Sequence, residues 1–167
     1  IRLFLEKINP TQYVIRTDNS ISVIFNISMT NKDFKVNYCI NREKLDSFIN
    51  NNTEYTSLFE PTFGYSGVNI KIPMRENIDI NLRKITYDFD TKNWNTEIVE
   101  YSEYLKRLSD KERIKHSKKE RYNTFLVFHS GKVIHSGMCE KYMEDAYNYF
   151  VKNIITDNRD NIEEYLD

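Results

Sequence analysis

The stretch that most constrains the fold is Phe125-Leu-Val-Phe-His-Ser-Gly-Lys-Val-Ile-His-Ser-Gly137. Two apolar runs flank Ser130-Gly131-Lys132, and a Ser-Gly pair between such runs is a tight-turn signal, so residues 123–137 are predicted to form a β-hairpin. The next segment, 139–155, spaces Met143, Ala146, Tyr147, Phe150, Val151 and Ile154 as one helical stripe. Glu140, Glu144 and Asp145 sit near its start, where the helix dipole favours acids. A half-buried hairpin followed by an amphipathic helix asks for a sheet with helices packed on one face.

Earlier segments fit the same plan. Residues 22–29 alternate, with Val23, Phe25, Ile27 and Met29 on one face and Ser22, Ile24, Asn26 and Ser28 on the other, as expected of a half-covered strand. Residues 34–40 either continue that strand or fold back on it. Asn41 offers an N-cap to a helix over 41–50 whose stripe is Leu45, Phe48 and Ile49. Residues 59–67, broken by Pro61, Gly64 and Gly67, read as a loop. Val68, Ile70 and Ile72 then alternate against Asn69 and Lys71 until Pro73 stops the strand.

Segment 74–122 is too long for a bare loop and should carry its own structure. Strands are expected at 80–89 and 96–101, joined at Asp90-Thr-Lys-Asn93. One helix is expected from 102 to about 120, with Tyr101, Tyr104, Leu105 and Leu108 as its stripe. The expected organisation is a lead-in at 1–19, a repeat over 20–155 interrupted by the insertion 74–122, and a polar, frayed tail at 156–167. The expected fold class is α+β, a curved antiparallel sheet with helices on its convex face plus an inserted hairpin and helix.

Composition excludes several classes. Among 167 residues, 12 Tyr and 10 Phe argue against disorder. No apolar run approaches the roughly 20 residues that span a bilayer as a helix. The chain starts at Ile1 without a signal-peptide pattern, which reads as a fragment or processed chain. Cys39 and Cys139 form no CxxC pair, so they are read as two reduced thiols rather than a zinc module or disulfide scaffold. Net charge is −1, so no nucleic-acid argument can rest on bulk charge. Ala146 is the sole alanine, a bias expected of an AT-rich genome such as that of a large DNA virus or a protist.

The outward parity class of the strands is Ser22, Ile24, Asn26 and Ser28; Asn69 and Lys71; Thr124, Leu126 and Phe128; Lys132, Ile134 and Ser136. This set is small, neutral and mildly apolar, and it holds no carboxylate. One reading is a face buried by another domain or subunit. The other is a face fitted to the minor groove of A·T-rich DNA, whose edge offers hydrogen-bond acceptors and no amino group. Asn26 can donate to those acceptors, Ile24, Leu126 and Ile134 can lie against sugars, and Phe128 can wedge between base steps.

These same residues carry a family likeness. Phe125–Gly137 is similar to the aliphatic-Phe-x-Ser-Gly-Lys-aliphatic-x-x-Thr-Gly hairpin in the C-terminal repeat of the TATA-box-binding protein family. Phe59-Glu60-Pro61 followed by Gly67 resembles that family's stirrup loop, Glu144-Asp145-Ala146 resembles its following helix, and Phe25-Asn26-Ile27 resembles the strand with its central asparagine. The likeness spans 20–73 and 123–155. It implies a lobe that binds and bends A·T-rich double-stranded DNA at the minor groove, as a general transcription initiation factor without enzymatic activity or cofactor. It further implies that Asn26 reads the groove, with Ser28 on the same face. Phe128 is one wedge and Tyr65 or Phe63 the other. Thr124, Leu126, Ile134 and Ser136 line the groove floor, Lys71 stands where the family has a phosphate-binding Arg, and Lys132 sits at the hairpin turn. Glu60, Pro61 and Phe63 are implied contacts for a transcription factor IIB-like protein. Implied partners are also the RNA polymerase machinery and a second such repeat, on the same protein or as a homodimer. The implied place of action is the nucleus, or a cytoplasmic viral factory or virion if the source is viral. The chain departs from the family in its insertion, in Thr62 where the stirrup has its second acid, and in His135 where the family is aliphatic. The competing expectation is a scaffold of the same fold that binds transcription proteins through its sheet and insertion without touching DNA.

Other chemistry is thinly represented. His116, His129 and His135 are the only histidines and lack a carboxylate placed to complete a ligand set. Asp88-x-Asp90-x-x-Asn93 lacks the Gly and terminal Glu of a calcium loop and reads as an acidic turn. Cys139 has no evident base, and no glycine-rich phosphate loop exists. The basic run 106–121 reads as a solvated helix face, or as an arm for flanking phosphates or a polymerase subunit.

Overall fold

The hairpin forms where the alternation places it, with Tyr122–Phe128 pairing antiparallel to Lys132–Gly137 through the register Leu126–Ile134. The computed structural model describes residues 20–25, 29–64, 66–74, 79–117 and 120–165. In chain order the elements are β1 (Ser20–Phe25), β2 (Thr30–Lys35), α1 (Arg42–Asn52), β3 (Thr56–Leu58), a 3-10 turn (Pro61–Phe63), β4 (Gly67–Pro73), β5 (Asn81–Asp88) and β6 (Asn93–Glu100). There follow α2 (Tyr101–Lys106), α3 (Asp110–Ser117), β7 (Tyr122–Phe128), β8 (Lys132–Gly137), α4 (Glu140–Tyr149), a π-helical segment (Phe150–Thr156) and α5 (Arg159–Ile162). The fold is α+β with two antiparallel sheets, of strand order β2-β8-β7-β4-β3 and β1-β5-β6. The described residues divide into two compact units, one holding 20–25 and 79–117, the other 29–64, 66–74 and 120–165.

In the larger unit, α1 and α4 with its π extension cover one face of the five-stranded sheet. Asn41 caps α1 by accepting from the Lys44 backbone N–H at 3.0 Å, and Leu45 and Ile49 are fully buried. Phe125 is stacked between His135 and Phe150, each ring centroid 4.1 Å away. Burying a side chain of that size contributes about 1.5–3 kcal/mol. In the π segment, the five-residue hydrogen-bond step brings Phe150 and Ile155 to the same face beside Ile154, and all three are buried. The hairpin turn requires glycine. Gly131 has φ 78°, and a Cβ there would stand 2.6 Å from the Tyr38 carbonyl oxygen.

Several expectations are corrected. Of the alternating run 22–29, residues 26–28 lie outside the described residues. Ser20–Phe25 pairs with β5, from Ser20–Asp88 to Phe25–Arg83, and so joins the inserted segment's sheet rather than the repeat. The edge strand of the five-stranded sheet is Thr30–Lys35. The helix expected over 102–120 breaks into α2 and α3 at Ser109, whose backbone N–H and hydroxyl both bond Glu112, at 3.1 and 2.6 Å; this capping box starts a new helix. The tail at 156–165 is not frayed. Ile162 is fully buried, its carbonyl accepts from the Asn41 N–H at 2.8 Å, and the Glu164 N–H donates to the Cys39 carbonyl at 2.9 Å. The Tyr38 hydroxyl, pushed up to about 12 by burial, donates to the Ile155 carbonyl at 2.8 Å. The lead-in 1–19 lies outside the described residues.

Candidate functional site

The open face of the five-stranded sheet follows from parity. Asn123, Phe125 and Val127 of β7 turn toward the helices and are buried, so Tyr122, Thr124, Leu126 and Phe128 face outward. The register then lays two rows across the sheet. One runs Thr56, Lys71, Thr124, Ser136, Asn31, a row of hydroxyl, amine and amide groups. The next runs Leu58, Asn69, Leu126, Ile134, Asp33, which is apolar in its middle apart from Asn69.

At the hairpin end of the face, Phe128 stands opposite Gly67, and a Cβ on Gly67 would sit 2.8 Å from Leu126 Cδ1, so Leu126 leans into the space that glycine leaves. Lys132 of β8 and Lys35 of β2 are cross-strand partners, both exposed. Like charges set directly opposite one another are destabilising on their own, and an anion between them relieves the repulsion. The Lys71 ammonium lies 5.7 Å from the centre of the Tyr122 ring.

Lys71, Thr124, Leu126, Ile134 and Ser136 are thus gathered on one face, with Phe128 and Lys132 at its end. Asn26, Ser28 and Tyr65 lie outside the described residues, and of Phe63 only the backbone is described. Glu60 and Pro61 are exposed in the loop after β3. That loop is tied to α1 by Arg42, which donates to the Ser66 carbonyl at 2.7 Å and lies 5.0 Å over the Phe59 ring.

The expectation that the face holds no carboxylate is corrected. Asp33 is on it, because β2 pairs with β8 in a register that turns Phe34 inward. Ser22 and Ile24, collected onto this face by parity, belong to the other sheet. Reasoning from periodicity also missed Asn31, Thr56 and Leu58. β2 and β3 are short edge strands whose sequences do not alternate, so only their register places them.

The histidines hold ordinary positions. His135 is buried beneath the sheet and donates from Nε2 to Asn123 Oδ1 at 3.1 Å, since the Asn123 amide nitrogen is committed to the Tyr142 carbonyl at 2.9 Å. Burial, assisted by the Lys32 charge, lowers its pKa to about 4. His129 lies 3.4 Å from Glu164. His116 bonds the Tyr101 hydroxyl at 3.0 Å in the smaller unit. Asp88 accepts from the backbone N–H groups of Asp90 and Thr91, which hold its carboxyl below the usual range and close the β5–β6 turn. Both cysteines are free thiols.

The smaller unit has an open face of its own. Cross-strand rows Tyr87–Trp94, Val23–Ile85–Thr96 and Phe25–Arg83–Ile98 form it, Phe25, Trp94 and Ile98 being 53, 56 and 67 % exposed, while Ile21 at the end of the first row is buried.

What this architecture defines is an α+β protein whose five-stranded sheet leaves one face to hydroxyl, amide and aliphatic side chains with Lys35, Lys71, Lys132 and Asp33 among them. No family model matches the chain, and no solved structure matches it. It is 30% identical over 154 residues to an uncharacterized protein, 335L, of Invertebrate iridescent virus 6. The matched region covers 89% of this chain and 45% of that viral protein, so the chain spans about half the length of its relative. Among the described residues, no helix is long and apolar enough to cross a membrane.

Proposed function

We propose that the larger unit is a lobe of the TATA-box-binding protein type that binds and bends A·T-rich DNA at the minor groove, serving transcription initiation without enzymatic activity. The carrying observation is the open face itself. Two parallel rows, one hydroxyl-rich and one aliphatic, end at Phe128 and the Lys35–Lys132 pair. Aliphatic side chains suit the sugar walls, hydroxyls suit the acceptor edge of A·T pairs, and Phe128 is positioned to unstack a base step. The two lysines, set against each other, suit a phosphate, and phosphate neutralisation supplies much of the affinity for DNA. On this reading the family resemblance also gives DNA-contacting roles to Asn26, Ser28, Tyr65 and Phe63. Glu60, Pro61 and Phe63 offer a contact for a transcription factor IIB-like protein, and the polymerase machinery and a second repeat are the further partners. The viral relative supports a viral source, and with it action in the nucleus, a viral factory or the virion.

Fluorescence anisotropy with A·T-rich and G·C-rich duplexes at two salt concentrations tests the reading. Wild type should prefer the A·T duplex, and Phe128→Ala should abolish that binding while its circular dichroism stays native. Absence of binding to either duplex at low salt, even with the full-length viral relative's other half supplied, would sink it.

One observation favours a second reading. The exposed apolar face of the smaller unit (Phe25, Trp94, Ile98) suits a protein partner better than solvent. On that reading the chain is a scaffold for transcription proteins, and loss of a protein partner in Trp94→Ser, with DNA behaviour unchanged, is its signature.

A further inference from the structure

We infer that the outer edge of β6 is the interface of a two-fold dimer, in which β6 pairs antiparallel with β6 of a second copy of this chain. The two three-stranded sheets then join into one sheet of six strands. This interface lies in the smaller unit and is independent of the minor-groove reading.

The edges of the two sheets are built differently. In the five-stranded sheet, β3 is three residues long and β2 carries Lys32, Asp33 and Lys35. Short or charged edge strands resist pairing with another chain. β6 is the outer strand of its own sheet, with β5 as its neighbour. Its eight residues, Asn93–Glu100, include no lysine, proline or glycine. Its ladder with β5 runs from Asn93–Asp88 to Glu100–Asn81 without a bulge, and residues 93–98 are exposed without a break. β1, at the opposite edge, offers no charged residue to fix a register.

A second copy fits this edge because the strand is complementary to itself. A two-fold axis normal to the sheet keeps the open faces of both copies on one side, so residues of equal parity must pair. With the axis at Thr96, that residue meets its own counterpart, Trp94 meets Ile98, and Asn95 meets Glu97. Just before the strand, Lys92 comes beside Glu100 of the second copy, opposite in charge and likewise exposed. The exposed Trp94 and Ile98 cover each other twice, as aromatic and aliphatic cross-strand partners do. Trp94 is already positioned by Tyr87, their ring centroids 4.8 Å apart. The Asn95 amide can donate to Glu97 of the second copy, whose charge is held by its own Lys84. The neighbouring registers lose this match. An axis at Glu97 sets two carboxylates face to face and Trp94 against Glu100. An axis at Asn95 sets Trp94 against Thr96 and Glu100 against Asp90. In the matched register the row Phe25–Arg83–Ile98 continues into Trp94–Tyr87 of the second copy, which joins the two apolar faces.

The test is sedimentation velocity of the whole chain over a concentration series, with disulfide cross-linking to read the register. Wild type should form a concentration-dependent dimer. Thr96→Lys sets two ammonium groups against each other at the axis, and it should raise the dissociation constant by about tenfold or more. Its circular dichroism should stay native, because Thr96 is exposed. Under mild oxidation Thr96→Cys should link to itself beyond the background of Cys39 and Cys139. Trp94→Cys and Ile98→Cys should link when mixed and not alone, since a disulfide needs its two Cα atoms within about 7 Å. A chain still monomeric at about 0.1 mM, where even a weak interface assembles, overturns the inference. A dimer that Thr96→Lys leaves intact, or links that form as readily at position 94 or 98 alone as in the mixture, overturns it equally.

Discussion

The five-stranded and three-stranded sheets use the same alternation of apolar and polar residues, and their surfaces end differently. In the first, α1 and α4 with its π extension bury one face into a continuous cluster that includes Ile40, Leu45, Phe125, Phe150 and Ile162, and the free face mixes hydroxyl and aliphatic groups with Lys35, Lys71, Lys132 and Asp33. In the second, the described core is slight: Ile21, Leu82, Val99 and Tyr101 are its buried apolar side chains. Its free face carries Trp94 and Ile98 openly. α2 has six residues, too short to shield three strands. Polar pairs take up part of the work, with Lys84 bonded to Glu97 across the strands and lowering that carboxyl's pKa. The lesson is that alternation supplies two faces, and the length of helix available decides which of them becomes a core.

The largest test of that contrast is Phe125→Ala. Losing the ring between His135 and Phe150 should cost about 3–5 kcal/mol in denaturant unfolding. Trp94, the only tryptophan, reports on the three-stranded sheet. Its fluorescence transition should move less than the far-UV circular dichroism transition, and equal shifts would break the contrast between the two sheets.

A second test uses pH. In the unfolded chain His135 takes a proton near its ordinary 6.5, whereas burial holds it to about 4 in the fold. The unfolded state therefore binds the extra proton between these values, and stability present at pH 7 is lost as pH falls from 6.5 to 4. The loss should reach roughly 3 kcal/mol. His135→Gln should flatten that part of the stability profile; an unchanged slope would show that the ring is reached by water.

Smaller effects sharpen the picture. A Cβ at Gly137 would collide with Met143 Cγ and approach Asn123 Oδ1 to 2.6 Å, so Gly137→Ala should cost about 1–3 kcal/mol, measured by thermal melting. Trp94→Ser, on the exposed face, should change stability by less than about 0.5 kcal/mol. A large loss there would mean that the face is a core in the folded protein.

Much of the larger unit was legible in the residues. Val68, Ile70 and Ile72, the run 125–137, and the stripe Met143, Ala146, Phe150 and Ile154 announce their elements, because local periodicity reports which side of a strand or helix will be buried. Asn41 announces its helix because capping is a contact between neighbours in sequence. What periodicity cannot report is which strand finds which partner. Ser20–Phe25 and Thr30–Lys35 lie close together in the chain and go to different sheets, since pairing is chosen by contacts distant along the chain. For the same reason Asp33 and Leu58 joined the candidate face unannounced, and the tail became part of the core through Ile162 against the 38–41 segment. The sequence by itself determined where strands and helices form and which side of each is apolar. Only the tertiary structure decided the register that aligns Lys71 with Thr124 and Ser136 and leaves β6 at the edge of its sheet, because strand pairing depends on neighbours that only folding supplies.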